Sequence, residues 1–137
     1  MASGVEVNDE CVKEYELLKH KKAYKYITFK ISDNHEQINI EKKVQDGTYE
    51  EFVACLPENE PRYAVYDFEY EKPGEGHRSK IVFYSWIPDT ARIKPKMIYA
   101  SSKEAFRKKL NPSIEIQGTD FSEVSFEAVL EKAIRTS

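Results

Sequence analysis

Two long β-rich runs, Tyr63 to Tyr70 and Lys80 to Ile87, stand on either side of Pro73-Gly74-Glu75-Gly76. Aromatic and β-branched side chains suit a pleated, half-buried surface, and a proline followed by two glycines is turn chemistry. The runs predict an antiparallel pair at the centre of a sheet, and every other segment has to be arranged around that pair.

Tyr24 to Ile31 has period two, with Ile27, Phe29 and Ile31 on one face and Tyr24, Tyr26 and Thr28 on the other, which is the signature of a strand. Ser32-Asp33-Asn34 signals a turn, and Ile38, Ile40 and Val44 continue the alternation, so the two strands should form a hairpin. Upstream, Cys11, Tyr15 and Leu18 recur at helical spacing behind Asn8 as N-cap. Acids lead that helix and Lys19 to Lys22 close it, as the helix dipole favours. Thr48-Tyr49-Glu50-Glu51 is a capping box that opens a short helix carrying Phe52, Cys55 and Leu56 until Pro57 stops it. After the break at Pro88-Asp89, Thr90 to Leu110 reads as a long helix and Ile114 with Ile116 as a last short strand. Ser125 begins a final helix that buries Phe126, Val129, Leu130 and Ile134. Helices interleaved with strands on this scale predict an α/β fold, a mixed sheet with helices on both faces.

With 137 residues the chain predicts a single domain over 1–137, with a flexible tail over about 1–6. Nine Tyr, seven Phe and one Trp supply bulky core material, so no staples are needed. Cys11 and Cys55 sit in apolar helix patterns without metal-ligand spacing, which predicts buried thiols in a reducing compartment and no metal. The longest uncharged apolar stretches are strand-sized, well short of the ~20 residues a membrane helix needs. The acidic start, Met1 to Glu10, lacks the basic and apolar regions of a secretory signal. The cytosol is the expected location.

The net charge of -3 conceals a strong asymmetry: residues 32–76 hold twelve acids and four bases, whereas residues 78–109 hold nine bases and two acids. A run of that kind is either a solvated helix face or a surface that attracts an acidic partner. Catalytic signatures are scarce. His20, His35 and His77 fall at a helix end, a turn and a loop, with no triad or metal spacing. Gly74-Glu75-Gly76 lacks the third glycine and following helix of a dinucleotide fingerprint, and there is no phosphate-binding loop. Asp67 and Glu69 share a strand face and read as solvent-facing or salt-bridged. Nothing requires an enzyme, a catalytic residue or a cofactor.

Several blocks, in order, carry a resemblance. They are Ser3-Gly4-Val5, Leu56-Pro57-Glu58-Asn59, Arg62-Tyr63-Ala64-Val65-Tyr66-Asp67-Phe68-Glu69-Tyr70 and Arg78-Ser79-Lys80-Ile81-Val82-Phe83. Trp86-Ile87-Pro88-Asp89-Thr90-Ala91, Lys96-Met97-Ile98-Tyr99-Ala100-Ser101-Ser102-Lys103 and Gln117-Gly118-Thr119-Asp120-Phe121-Ser122-Glu123-Val124 follow. Together they span essentially the whole chain, which resembles the actin-depolymerising factor/cofilin family and is closest in pattern to its fungal members. The resemblance implies the ADF-homology fold: four antiparallel central strands plus a parallel strand, sandwiched between helix pairs. It also implies a function, which is to bind actin monomers and filaments with preference for ADP-actin, to sever filaments and to release subunits. Binding energy then favours one filament geometry over another, with no chemistry catalysed.

The family's surface for monomer and filament maps to Ser3, Gly4 and Val5, to Lys94, Lys96 and Met97, and to Asp120, Phe121, Ser122 and Glu123; on the helix, Met97 and its neighbour Ile93 are the apolar groups that would enter an actin cleft. The filament-only surface maps to Arg78 and Lys80 on a strand and to Glu131, Lys132 and Arg135 on the last helix. Ser3 is the regulatory phosphorylation position, and Lys94, Lys96, Arg107, Lys108 and Lys109 match the phosphoinositide-binding bases. The implied protein is a monomer with actin and phosphoinositide partners and no nucleic acid. Pro95 stands where the family usually has serine. Either the helix begins at Thr90 or Ala91 and Pro95 kinks it, or it begins near Lys94 with Pro95 at its first position. Pro112 replaces a glycine, and His20-Lys21-Lys22 replaces a leucine-glycine region. One rival is a coactosin-type module that decorates filaments without severing; the other is a nucleic-acid or membrane-surface binder. Only Tyr99 and Phe106 interleave the bases of residues 87–109, which disfavours single-strand stacking.

Overall fold

The computed structural model describes residues 4–136. Its strands are β1 (Glu6–Val7), β2 (Tyr26–Ile31), β3 (Gln37–Val44), β4 (Arg62–Lys72), β5 (Gly76–Trp86) and β6 (Ile114–Gly118). Its helices are α1 (Asp9–Lys21), α2 (Tyr49–Ala54), α3 (Ile93–Leu110) and α4 (Phe126–Arg135), with a 3-10 turn at Phe121–Val124. One sheet has the order β1-β3-β2-β4-β5-β6. The four strands β3, β2, β4 and β5 pair antiparallel, and β6 lies parallel to β5. The long β4–β5 ladder runs from Arg62 opposite Trp86 to Lys72 opposite Gly76, so the pair that dominates the sequence also dominates the sheet.

Side chains alternate across the sheet and each face is closed by two helices. One layer joins Cys11, Tyr15 and Leu18 of α1 and Tyr99, Phe106 and Leu110 of α3 to Ile27, Phe29, Tyr63, Val65 and Phe83. The other joins Tyr49 and Phe52 of α2 and Val129 and Ala133 of α4 to Tyr26, Tyr66, Phe68, Tyr84 and Trp86. Each fully buried large apolar side chain stabilises by about 1.5–3 kcal/mol. The predicted Asn8 cap and the Thr48–Glu51 capping box are both present.

Five expectations need correction. Phe126 is not buried by α4: at the first position of the helix it packs edge-on against Tyr49 and beside Phe68 but keeps 36% of its surface exposed. The alternation of Ile38, Ile40 and Val44 is broken by a bulge: Phe29 faces Ile40 and Thr28 faces Lys42, so Glu41 is an extra residue. Val44 therefore pairs with Tyr26 and packs on the layer opposite Ile38 and Ile40. Tyr24 lies before the strand and packs against the layer of Ile27 rather than that of Tyr26, because its hydroxyl donates to Glu14 (2.6 Å) on α1. The tail does not extend to residue 6: Val5 is buried in the α1–α3 layer, and β1 adds a short parallel strand beside β3. Of the two thiols, Cys11 is buried but Cys55 only partly, since α2 ends at Ala54 and leaves Cys55 as its cap.

The departures from the family pattern have local solutions. α3 starts at Ile93, so Pro95 is its third residue. The first i→i−4 bond runs from Lys96 N–H to the Arg92 carbonyl, and the proline forfeits no bond. Asn111 takes the left-handed cap of α3 at φ 55°, and Pro112 lies just beyond it, where proline cannot continue the helix. Lys22 takes the same conformation after α1, and its ammonium pairs with buried Asp67 at 3.1 Å. Of the two readings of Asp67, solvent-facing or salt-bridged, the second holds: it is buried and paired with Lys22, while Glu69 pairs with Lys25 at the surface.

Candidate functional site

The solvent face of α3 is built by helical spacing alone. Tyr99, Ser102, Phe106 and Leu110 point into the core, which turns Ile93, Met97, Ala100, Ser101, Glu104 and Lys108 outward. Ile93 is 76% exposed and Met97 65%, the two most exposed large apolar side chains among the described residues. Spaced i and i+4, they form an apolar ridge one helical turn long, with small residues beyond it that let another surface approach closely. Met97 is therefore not core. Ala100 and Ser101, three and four residues on from Met97 and part of the Lys96–Lys103 block, lie exposed on the same face.

Charges flank the ridge unequally. Lys94 is exposed and meets no hydrogen-bond or ion-pair partner among the described residues. Lys96 is half-buried and donates to the Asp89 carbonyl at 3.2 Å. A hollow of about 190 Å3 lined by Ile87, Asp89, Lys96, Gln117 and Thr119 connects the start of α3 to the loop before α4.

In that loop, the 3-10 turn is held against the sheet at Gly118, where a Cβ would come within 2.8 Å of Val124 and 3.1 Å of Trp86. Glu123 accepts from Thr119 N–H (2.6 Å) and hydroxyl (2.8 Å) and from Asp120 N–H (3.3 Å). Those donors hold its carboxyl below the ordinary value of 4.5. Asp120 caps the turn through Ser122 N–H at 2.8 Å and also accepts from the Ser122 hydroxyl, and is likewise held low. Both acids are occupied with shaping the turn. Phe121 lies on Trp86 with ring centroids 4.7 Å apart and keeps 41% of its surface exposed. It is the apolar contact this loop offers.

Ser3 lies outside the described residues. Gly4 is exposed at φ 72°, and Val5 is turned into the core, so the backbone around Gly4 is what the N-terminal segment presents. A hollow lined by Val5, Val7, Asp9, Ala105 and Lys109 puts this segment beside the C-terminal half of α3, away from Met97.

The strand and last-helix residues form a separate group. Arg78 and Lys80 share the β5 face that carries α4, and Lys80 donates to the Thr136 hydroxyl at 3.2 Å. Arg78 pairs with Glu75 at 3.0 Å, and Arg135 faces Glu131 at 3.7 Å. Lys132 instead donates to the Glu115 carbonyl of β6 at 2.7 Å, so it ties α4 to the sheet.

The five bases matched to phosphoinositide binding do not converge. Thirteen residues separate Lys96 from Lys109 on α3, roughly 20 Å at the helical rise. Arg107 is engaged by Glu104 at 2.6 Å and by Glu115 at 3.5 Å, leaving Lys108 and Lys109 as the exposed pair at that end.

The chain is similar to known proteins over its whole length. Residues 4–134 match the family model for Cofilin/tropomyosin-type actin-binding protein. Cofilin from Mycosarcoma maydis is 51% identical over 138 residues, covering 100% of this chain and 99% of the relative. The crystal structure of Streptomyces griseoflavus cofilin superposes with a TM-score of 0.90 at 50% identity, covering 96% of this chain and 98% of that one. Human coactosin-like protein shares the fold alone, with a TM-score of 0.78 at 17% identity, covering 97% of this chain and 90% of that one. A match of this extent, on a six-stranded mixed sheet between two helix pairs, makes the chain a member of the actin-depolymerising factor/cofilin family of actin-binding proteins.

Proposed function

We infer that this protein binds actin monomers and filaments, severs and depolymerises filaments, and so promotes actin turnover. The observation that carries this reading is half-identity to a cofilin over the full length of both chains. The decorating alternative rests on the coactosin fold without comparable sequence identity.

The ridge of Ile93 and Met97 enters an apolar cleft on actin while Lys94 and Lys96 meet acidic groups at its rim, the helix-in-groove mode. Phe121 and the backbone at Gly4 extend that contact. Arg78, Lys80, Glu131 and Arg135 meet a second actin subunit, which exists only in the filament. Preference for ADP-actin, which the family resemblance implies, would supply the differential affinity between filament states that a population shift requires. Ser3 is the phosphorylation switch, where added negative charge opposes an interface built on bases. Phosphoinositide headgroups compete for Lys94 and Lys96 at one end of α3 and for Lys108 and Lys109 at the other. The protein works as a monomer at the cytoplasmic actin cytoskeleton.

The test is sedimentation of preformed ADP-actin filaments with increasing protein, with filament lengths imaged in parallel. The expected result is co-pelleting with shortened filaments and more soluble actin. Co-pelleting with unchanged filaments would support decoration instead, and no binding by folded protein would overturn the reading. The Ser3→Glu variant should lose binding without a shift in melting temperature; a large melting shift would make the N-terminus structural.

A further inference from the structure

Beside the α3 ridge lies a cleft of about 250 Å3 with no assigned role. Its apolar floor includes Ile31, Pro61, Pro95 and Ile98, and its charged wall includes Arg92 and His35. Arg92, His35 and Pro95 also line an adjoining hollow of about 590 Å3 that reaches Ile93 and Lys94, so the cleft opens directly onto the ridge.

The charges on the wall are unevenly satisfied. Arg62 is buried and already neutralised by Glu41 (3.1 Å) and Glu60 (3.2 Å), which also accounts for Glu60. The Arg92 and His35 side chains have no hydrogen-bond or ion-pair partner among the described residues. Asp33 is the acid left on the wall, against Lys30, Arg92 and His35. The β2–β3 turn that carries His35 is well held. Ser32 hydroxyl donates to Asn34 (2.6 Å), and Gln37 N–H donates back to Ser32 (3.2 Å). His35 itself sits at φ 61°. The unpaired Arg92 guanidinium and the His35 ring N–H, on a braced wall that also carries Lys30 and over an apolar floor, are complementary to a carboxylate on an apolar stem.

We propose that an acidic side chain of the docked actin subunit enters this cleft and is held by Arg92 and His35, extending the interface from α3 onto the β2–β3 turn. This rests on the reading that the ridge docks on actin, and continuity between cleft and ridge selects that partner over a separate one. The carboxylate would complete the pairing that the free protein leaves open, so part of the affinity would be salt-sensitive charge pairing.

The experiment is titration of fluorescently labelled monomeric ADP-actin with the full chain and three variants, Arg92→Gln, His35→Asn and Met97→Ala, at low and moderate salt. Asparagine tolerates the left-handed backbone at position 35, and all three sites lie outside the buried core, so folding is checked by melting temperature. Arg92→Gln should bind about tenfold more weakly with a shallower salt dependence, as for losing one charge-assisted contact, and His35→Asn about threefold more weakly, as for losing one hydrogen bond. Wild-type affinity for both variants with a clear loss for Met97→Ala would overturn the cleft and leave the docking reading standing. A loss for Arg92→Gln alone would also overturn it, since Arg92 would then act from the ridge without the turn. Unchanged affinity in all three would overturn the docking reading and this inference together.

Discussion

The two candidate surfaces are built on opposite principles. At the start of α3 the exposed ridge of Ile93 and Met97 is apolar, and Lys94 and Arg92 beside it lack partners among the described residues, so that surface is open to a partner. Along β5 and α4 the charged groups already pair within the chain, Arg78 with Glu75, Lys80 with Thr136 and Arg135 with Glu131. Exposed pairs of that kind contribute about 0–1 kcal/mol each and can be exchanged at low cost for pairs with a partner. The first surface therefore suits strong binding to a single subunit, driven by desolvation. The second suits a conditional contact that adds little until the first is made.

The sharpest way to break this contrast is Met97→Asp, which places a charge in the middle of the ridge. Monomer and filament affinity should both fall about 100-fold, the cost of losing a central interface anchor. Retained monomer binding would mean that charge, not apolar burial, dominates the first surface. Next in size, Arg78→Ala with Lys80→Ala should weaken filament binding about tenfold and leave monomer titrations unchanged. Equal losses in both assays would merge the two surfaces into one.

The smallest effect is expected in the loop that shapes the first surface. Glu123→Ala removes the acceptor for three donors and should cost about 1 kcal/mol of stability, as a lost cap does. Denaturant unfolding reads the loss directly, and wild-type stability would show the turn to be held by Phe121 and Gly118 alone. Because the folded Glu123 carboxyl lies below its ordinary value of 4.5, its contribution is complete above that pH and disappears as pH falls through the lower folded value. Unfolding measured from pH 6 downward should therefore show wild type and Glu123→Ala converging in stability. Parallel curves would mean that the carboxylate's charge is not what the turn uses.

Much of the architecture was legible because it rests on local rules. The central hairpin, the Thr48 capping box, the Asn8 cap and the β6 strand follow from side-chain period and turn chemistry, which act over a few residues. The site was legible only by resemblance for most residues, since Lys94 or Glu131 in isolation reads as an ordinary solvated charge. The structure then divided those residues by occupation. Glu123 and Asp120 shape a turn, Lys132 ties α4 to β6, and Val5 is core, whereas Met97, Ile93, Phe121 and Lys94 remain available.

Three features depended on long-range packing. The bulge at Glu41 is invisible to a period count, because the extra residue is stabilised by Arg62 on another strand and by Thr28 across the hairpin. The exposure of Met97 follows from which side of α3 the sheet covers, and a helix of mixed composition does not announce that from its own residues. The cleft at Arg92 and His35 joins segments nearly sixty residues apart in the chain. Local propensity and pattern were enough to set the elements and their order in this protein. Which of its charges and apolar groups are left without a partner was settled only when the sheet, α3 and the β2–β3 turn came together, because satisfaction of a side chain is a property of its neighbours and not of its position in the chain.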